Sequence, residues 1–125
     1  MNHSEAQEIA RHWIKLCHLP SNAPERDSSF WAYSRLSEVA DDDPESAWQI
    51  IGLIYELEPS DIILANVAAG PLEDLLAKHG GSFIDRVESL AVQNPVFRKL
   101  LGAVWKNQIA EDIWVRIKAV AGPSF

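Results

Sequence analysis

The sequence predicts one all-α domain spanning residues 1–125, built of six to seven short helices in a HEAT-like helical array or an irregular bundle. Three observations carry this. Apolar residues recur at three- and four-residue spacing along nearly the whole chain, and no segment alternates as a half-buried strand would. Asp43-Pro44 and Asn94-Pro95 each set a capping side chain before a proline that suits a first helical position. A hydrophobic fraction of 47% with five Trp in 125 residues can fill a real core, since a chain of this size buries roughly two-thirds of its unfolded surface.

The first helix opens at Ser4, which forms a capping box with Gln7, and runs to about His18 with Ala6, Ile9, Ala10, Trp13, Ile14 and Cys17 on one stripe. Pro20 ends it, and SNAPERDSS reads as a connector. The second helix carries Phe30 and Trp31 near its start and Ala32, Tyr33, Leu36, Val39 and Ala40 on its core face. The third, at 44–57, is apolar nearly all round and belongs in the middle of the packing. Ser60 caps a fourth helix. A fifth starts at Ser82, with Phe83, Ile84, Val87, Leu90 and Ala91 as its stripe. A sixth follows Asn94-Pro95 through Val96, Phe97, Leu100, Leu101, Val104 and Trp105. The last carries Ile109, Ile113, Trp114, Ile117 and Val120 and stops at Gly122-Pro123. The pieces QIIGLI and KLLGAV, roughly fifty residues apart, form a faint internal repeat that needs a one-residue slip.

Between the fourth and fifth helices lies AAGPLEDLLAKHGG, from Ala68 to Gly81, where an apolar stripe runs straight through a helix breaker. Pro71 has no N–H for the Val67 carbonyl and pushes Gly70 away from helical angles. The stripe Ala65, Ala68, Ala69 nevertheless keeps its phase through Leu72, Leu75, Leu76 and His79. The segment is therefore either one kinked helix or two abutting helices sharing a buried face, with Gly80 as the stop.

Composition narrows the function. A single Cys makes no internal disulfide, and no Cys/His cluster suggests zinc. The N-terminus has no basic start followed by an apolar run, and no segment approaches the roughly 20 apolar residues that span a bilayer. A cytoplasmic protein with no membrane partner is the expectation. Net charge is −7 and uneven: residues 1–63 hold twelve acidic and four basic side chains, residues 64–125 six and seven. Such a balance disfavours nucleic acid and favours a basic partner. No phosphate loop, nucleophile elbow, metalloprotease motif or dinucleotide fingerprint is present. The sequence thus offers no reason to propose an enzyme, a cofactor or a metal.

The segments AAGPLEDLLAKHG, FIDRVE, NPVFRKLLGAVW and IWVRI together resemble a family of small bacterial proteins known only as a domain of unknown function. The resemblance covers about residues 64–118, and the GPLEDLL–HG run is its most specific piece. It implies a bacterial, mostly helical protein and brings no catalytic residues with it.

Two sets of residues stand out. Glu38, Asp41 and Asp42, near the off-stripe aromatics Phe30 and Trp31, make an acidic edge for a basic protein partner. The expected function is accordingly a non-enzymatic acidic interaction module, for instance a bacterial immunity protein that neutralises a toxin. The alternative is a small-ligand or catalytic site in a notch formed by Asn66, Gly70, Glu73 and His79, with Glu73 as acceptor or base. Against that alternative, Asn66 is expected to satisfy backbone groups freed by Pro71, and Glu73 to sit in a favourable first turn. Glu8 and His12 share a helix face, but two ligands are too few for an ordinary metal site. Cys17 lies on the apolar stripe and is expected to be packed rather than nucleophilic. Asp74 and Lys78 read as an i,i+4 surface pair.

Overall fold

A computed structural model describes all residues from Met1 to Phe125 as helices and their connections, with no strand. The helices are α1 (His3–His18), α2 (Arg26–Asp42), α3 (Pro44–Leu57), α4 (Asp61–Val67), α5 (Glu73–Gln93), α6 (Pro95–Leu101) and α7 (Glu111–Val120). Between α4 and α5 the chain makes a π-helical turn over Ala68–Leu72, with Pro71 inside it.

Local chemistry sets most boundaries. Asp43 caps α3 by accepting from the Ser46 N–H, and Pro44 follows it. Asn94 caps α6, its Oδ1 accepting from the Val96 and Phe97 N–H groups at 3.0 and 3.1 Å. Ser60 caps α4. At α1 the cap is Asn2, whose Oδ1 accepts from the Glu5 N–H at 2.8 Å. Asn2 caps the helix two residues before the expected Ser4, and an Asx cap serves orphan amides in the same way.

The chain passes through Gly70-Pro71 as continuous helix, from α4 through the π turn into α5. Gly70 has no positive φ, so proline is accommodated by widening the turn rather than by a left-handed residue. Buried positions along this run fall in two rows spaced strictly by four: Ile63, Val67, Pro71, Leu75 and Leu64, Ala68, Leu72, Leu76. In a pure α-helix such rows drift by about 40° per step. A π turn, with more residues per turn, cancels part of that drift and keeps both rows on the core. Ala69, expected in the stripe, is exposed as a result. The helical angles break instead at His79 (φ −133°, ψ 22°), one residue before the expected stop at Gly80. Gly80 serves close packing, because a Cβ there would lie 3.1 Å from Ile113 of α7. The second segment of α5 follows the His79 kink directly, so the helix expected from Ser82 begins slightly earlier and Ser82 lies within its first turn.

The helical run from α4 to α5 is the spine of an irregular bundle. Helices α1, α2 and α3 pack on one another and on the spine, while α6 and α7 pack on α5. An aromatic cluster ties the two sides. Trp48 of α3 meets Phe83 of α5 and Phe97 of α6 at ring distances of 5.5 and 5.7 Å, and Tyr55 meets Phe97 at 6.0 Å. Helix α6 ends at Leu101, earlier than the spacing suggested, and Trp105 lies exposed in the connection to α7. The C-terminal strip explains this: the Gly122 N–H donates to the Arg98 carbonyl at 2.9 Å, and the strip crosses directly over Gly102. No helix is long and apolar enough to cross a membrane.

Candidate functional site

The expected notch does not assemble. Asn66 is exposed, and its amide donates to the Ile62 carbonyl at 2.7 Å, one turn back on its own helix, rather than to groups around Pro71. Glu73 is engaged elsewhere, its carboxylate accepting from the Asn107 amide in the α6–α7 connection. His79 sits within hydrogen-bonding distance of the Ala40 carbonyl of α2, Nε2 to O 3.1 Å. A protonated Nε2 would donate to that carbonyl and hold α5 to α2 at the kink. The three polar side chains thus serve three separate contacts. Of the proposed set, Asn66 and Gly70 do line a concavity, and its other walls were not foreseen.

That concavity is a cleft of about 300 Å³ between α1, the start of α2 and the π turn. Trp13 and Tyr33 form its aromatic walls, Gly70 and Pro71 close one side, and Arg26 and Cys17 stand at its margin. It runs into a shallower recess past Ser37 and Asp74, which shares Trp13, Tyr33, Gly70 and Pro71. The Arg26 guanidinium is held in place: Nη1 donates to the Leu16 and Leu19 carbonyls at the end of α1, both at 3.1 Å. Burial raises the Cys17 thiol to about 11 despite the nearby positive charge of Arg26, so the sulfur stays protonated at neutral pH and is a poor nucleophile. Spacing alone could not find this site, because its walls come from three helices far apart in sequence.

The outer face of α2 is the second concentration of unusual residues. Phe30, Trp31 and Tyr33 are 50%, 43% and 53% exposed. Tyr33 was expected on the core face. It instead stacks on Phe30 at 5.5 Å, while Trp31 leans on His12 of α1 at 5.1 Å. The acidic edge is placed differently from the expectation. Asp41 and Asp42 lie at the far end of α2, about 16 Å from Phe30 at 1.5 Å per residue. Asp41 pairs with Lys78 of α5, and Glu38 lies 3.5 Å from Arg35. Asp43 is occupied as a cap, and Glu45 makes a bidentate pair with Arg86 at 2.6 Å. The carboxylates that share the aromatics' face at helical spacing are Asp27 and Glu38, at i−3 from Phe30 and i+7 from Trp31. Lys78 therefore takes Asp41 rather than Asp74 as its partner.

Elsewhere Glu8 lies 3.7 Å from His12, whose other ring nitrogen is 3.3 Å from the buried Ser29 hydroxyl. No three His, Cys, Asp or Glu side chains converge to hold a metal ion. Two basic side chains near α6 are engaged as well, Lys99 with Asp61 and Lys106 with Glu111.

Fold and surface together define a small all-helical protein with an aromatic helix face and one aromatic-walled cleft. Over residues 20–124 the chain matches the model of a family described as "Family of unknown function (DUF6869)". It belongs to that family, and the match extends well beyond the 64–118 region whose motifs first suggested one. No curated protein and no solved structure matches the chain.

Proposed function

We propose that this protein is a non-enzymatic interaction module whose contact surface is the outer face of α2. The observation that carries the reading is the trio Phe30, Trp31 and Tyr33, three large aromatics within four positions, all about half exposed on a helix whose opposite face is core. Adjacent exposed aromatics are disfavoured in water unless a partner covers them. Their acidic neighbours Asp27 and Glu38, and a net charge of −7, favour a basic partner. Arg or Lys side chains of such a partner would stack on the rings and meet the carboxylates together. Neutralisation of a basic toxin in a bacterial cytoplasm is the role that suits these features best.

The test is affinity capture from a host lysate with the wild-type chain and with a Phe30→Ser/Trp31→Ser variant. Both side chains are substantially exposed, so the melting temperatures should be close. The expected outcome is a basic protein retained by wild type at low salt, weakened by raised salt, and lost from the variant. Hot-spot aromatics lost from an interface cost on the order of 2 kcal/mol or more, about 30-fold in Kd. Equal capture by both chains would remove α2 as the contact surface.

A further inference from the structure

We propose that the cleft between α1, the start of α2 and the π turn is a binding site for a small apolar monocarboxylate, with Arg26 as receptor of the carboxylate. The site is separate from the α2 outer face, sharing only Tyr33 with it. Arg26 makes no ion pair, although the chain carries 18 carboxylate side chains against 11 Lys and Arg. Its Nη1 is fixed by the Leu16 and Leu19 carbonyls, while Nη2 and Nε have no protein partner. A guanidinium held on one edge and open on the other is pre-organised for two parallel hydrogen bonds to a carboxylate. The Glu58 carboxylate on this side of the molecule is engaged by His18 and Ser60. The neutral Cys17 thiol supplies no counter-charge.

The remaining walls specify the rest of the ligand. Trp13, Tyr33 and Pro71 present flat apolar surface, and Gly70 leaves open space, since a Cβ there would meet nothing within 4 Å. An apolar ring or chain fits against such walls, and a cleft of about 300 Å³ suits a small molecule. Asp74 at the adjoining recess would repel a second negative charge, which selects one carboxylate rather than two. The π turn forms the cleft's wall, and insertions of this kind inside α-helices gather at functional sites.

Phenylacetate and octanoate are suitable probes, with phenylacetamide as the uncharged control. Proton–nitrogen correlation spectra of the full chain should show saturable shifts of the Trp13 indole and the Gly70 amide with the carboxylates, and none with the amide. Arg26→Gln should weaken binding by about tenfold or more. Because Arg26 also caps α1, Ala69→Glu provides a second variant: an exposed residue at the cleft margin gains a competing carboxylate, and binding should vanish while the thermal melt is retained. The proposal is overturned by absence of saturation with both probes, by equal binding of phenylacetamide, or by wild-type affinity in both variants. Saturable shifts centred on another part of the surface would overturn it equally.

Discussion

Gly81 and Gly102 have the same side chain and opposite surroundings. Gly81 lies in the first turn of α5 after the His79 kink, exposed, with nothing within 4 Å of the place a Cβ would take. Gly102 lies beneath the C-terminal strip, and a Cβ there would come 2.4 Å from the Pro123 carbonyl oxygen and 2.7 Å from that of Gly122. Backbone oxygens cannot swing aside as a side chain can, so Ala at 102 must lift the strip and break the Gly122 N–H bond to Arg98. Gly81→Ala should raise stability, by at most about 0.5–1 kcal/mol, because alanine loses less backbone freedom than glycine at helical angles. Gly102→Ala should lower it by about 1–3 kcal/mol, the range of overpacking. Denaturant titrations of the two variants check the pair, and a stabilised Gly102→Ala would contradict the account of why α6 stops at Leu101.

The spine shows which parts of an element can be read from residues alone. The Gly-Pro pair and a stripe that keeps its phase across it were visible, and they left open one kinked helix or two abutting ones sharing a buried face. Assigning the stripe to Ala65, Ala68 and Ala69 assumed α geometry throughout, and the π turn moved Ala69 outward. The caps at Asp43, Ser60 and Asn94 were legible because each depends on residues within three positions. Glu73 and His79 were not, because their partners Asn107 and Ala40 lie 34 and 39 residues away. The trio on α2 was half legible: Phe30 and Trp31 fell off the stripe, but Tyr33 counted among the core-facing residues and is exposed. For the spine itself, the reason for glycine at 70 is its neighbour. Proline's ring crowds a preceding Cβ held at helical angles, and nothing more distant does. Gly70→Ala should therefore destabilise by about 1 kcal/mol when Pro71 is present and become neutral or favourable in a Pro71→Ala background. A double-mutant cycle of melting curves measures this. Equal effects of Gly70→Ala in both backgrounds would place the constraint elsewhere.

Across the whole molecule, the uneven charge of the two halves has a structural use. Asp41, Glu45 and Asp61 from the acidic half pair with Lys78, Arg86 and Lys99 from the other, and Arg116 of α7 grips Asp85 and Glu88 of α5. These contacts staple α2, α3 and α4 to α5 and α6, and α7 to α5, so part of the acidic excess serves the fold rather than a partner. Each exposed pair contributes little alone, but several act in one direction on acidification. The carboxyls of Glu45 and Glu88 are held below their ordinary 4.5, chiefly by hydrogen bonds from Arg86 and Arg116. Glu58 is lowered by Ser60 and then His18, and Asp43 is lowered from 3.8 by Ser46. A carboxyl lowered in the folded state adds stability that is complete above its unfolded pKa and is lost as pH falls through the folded one. Melting temperature should accordingly stay nearly level from about pH 8 to about pH 6, then fall steadily below about pH 4.5 as these groups take up protons. In a Glu45→Gln/Glu88→Gln variant the neutral-pH melting temperature should be lower and the acid fall shallower, the two curves converging at low pH where wild type has lost the same pairs. Curves that stay parallel over the whole range would show that the Arg86 and Arg116 pairs do not govern the acid response.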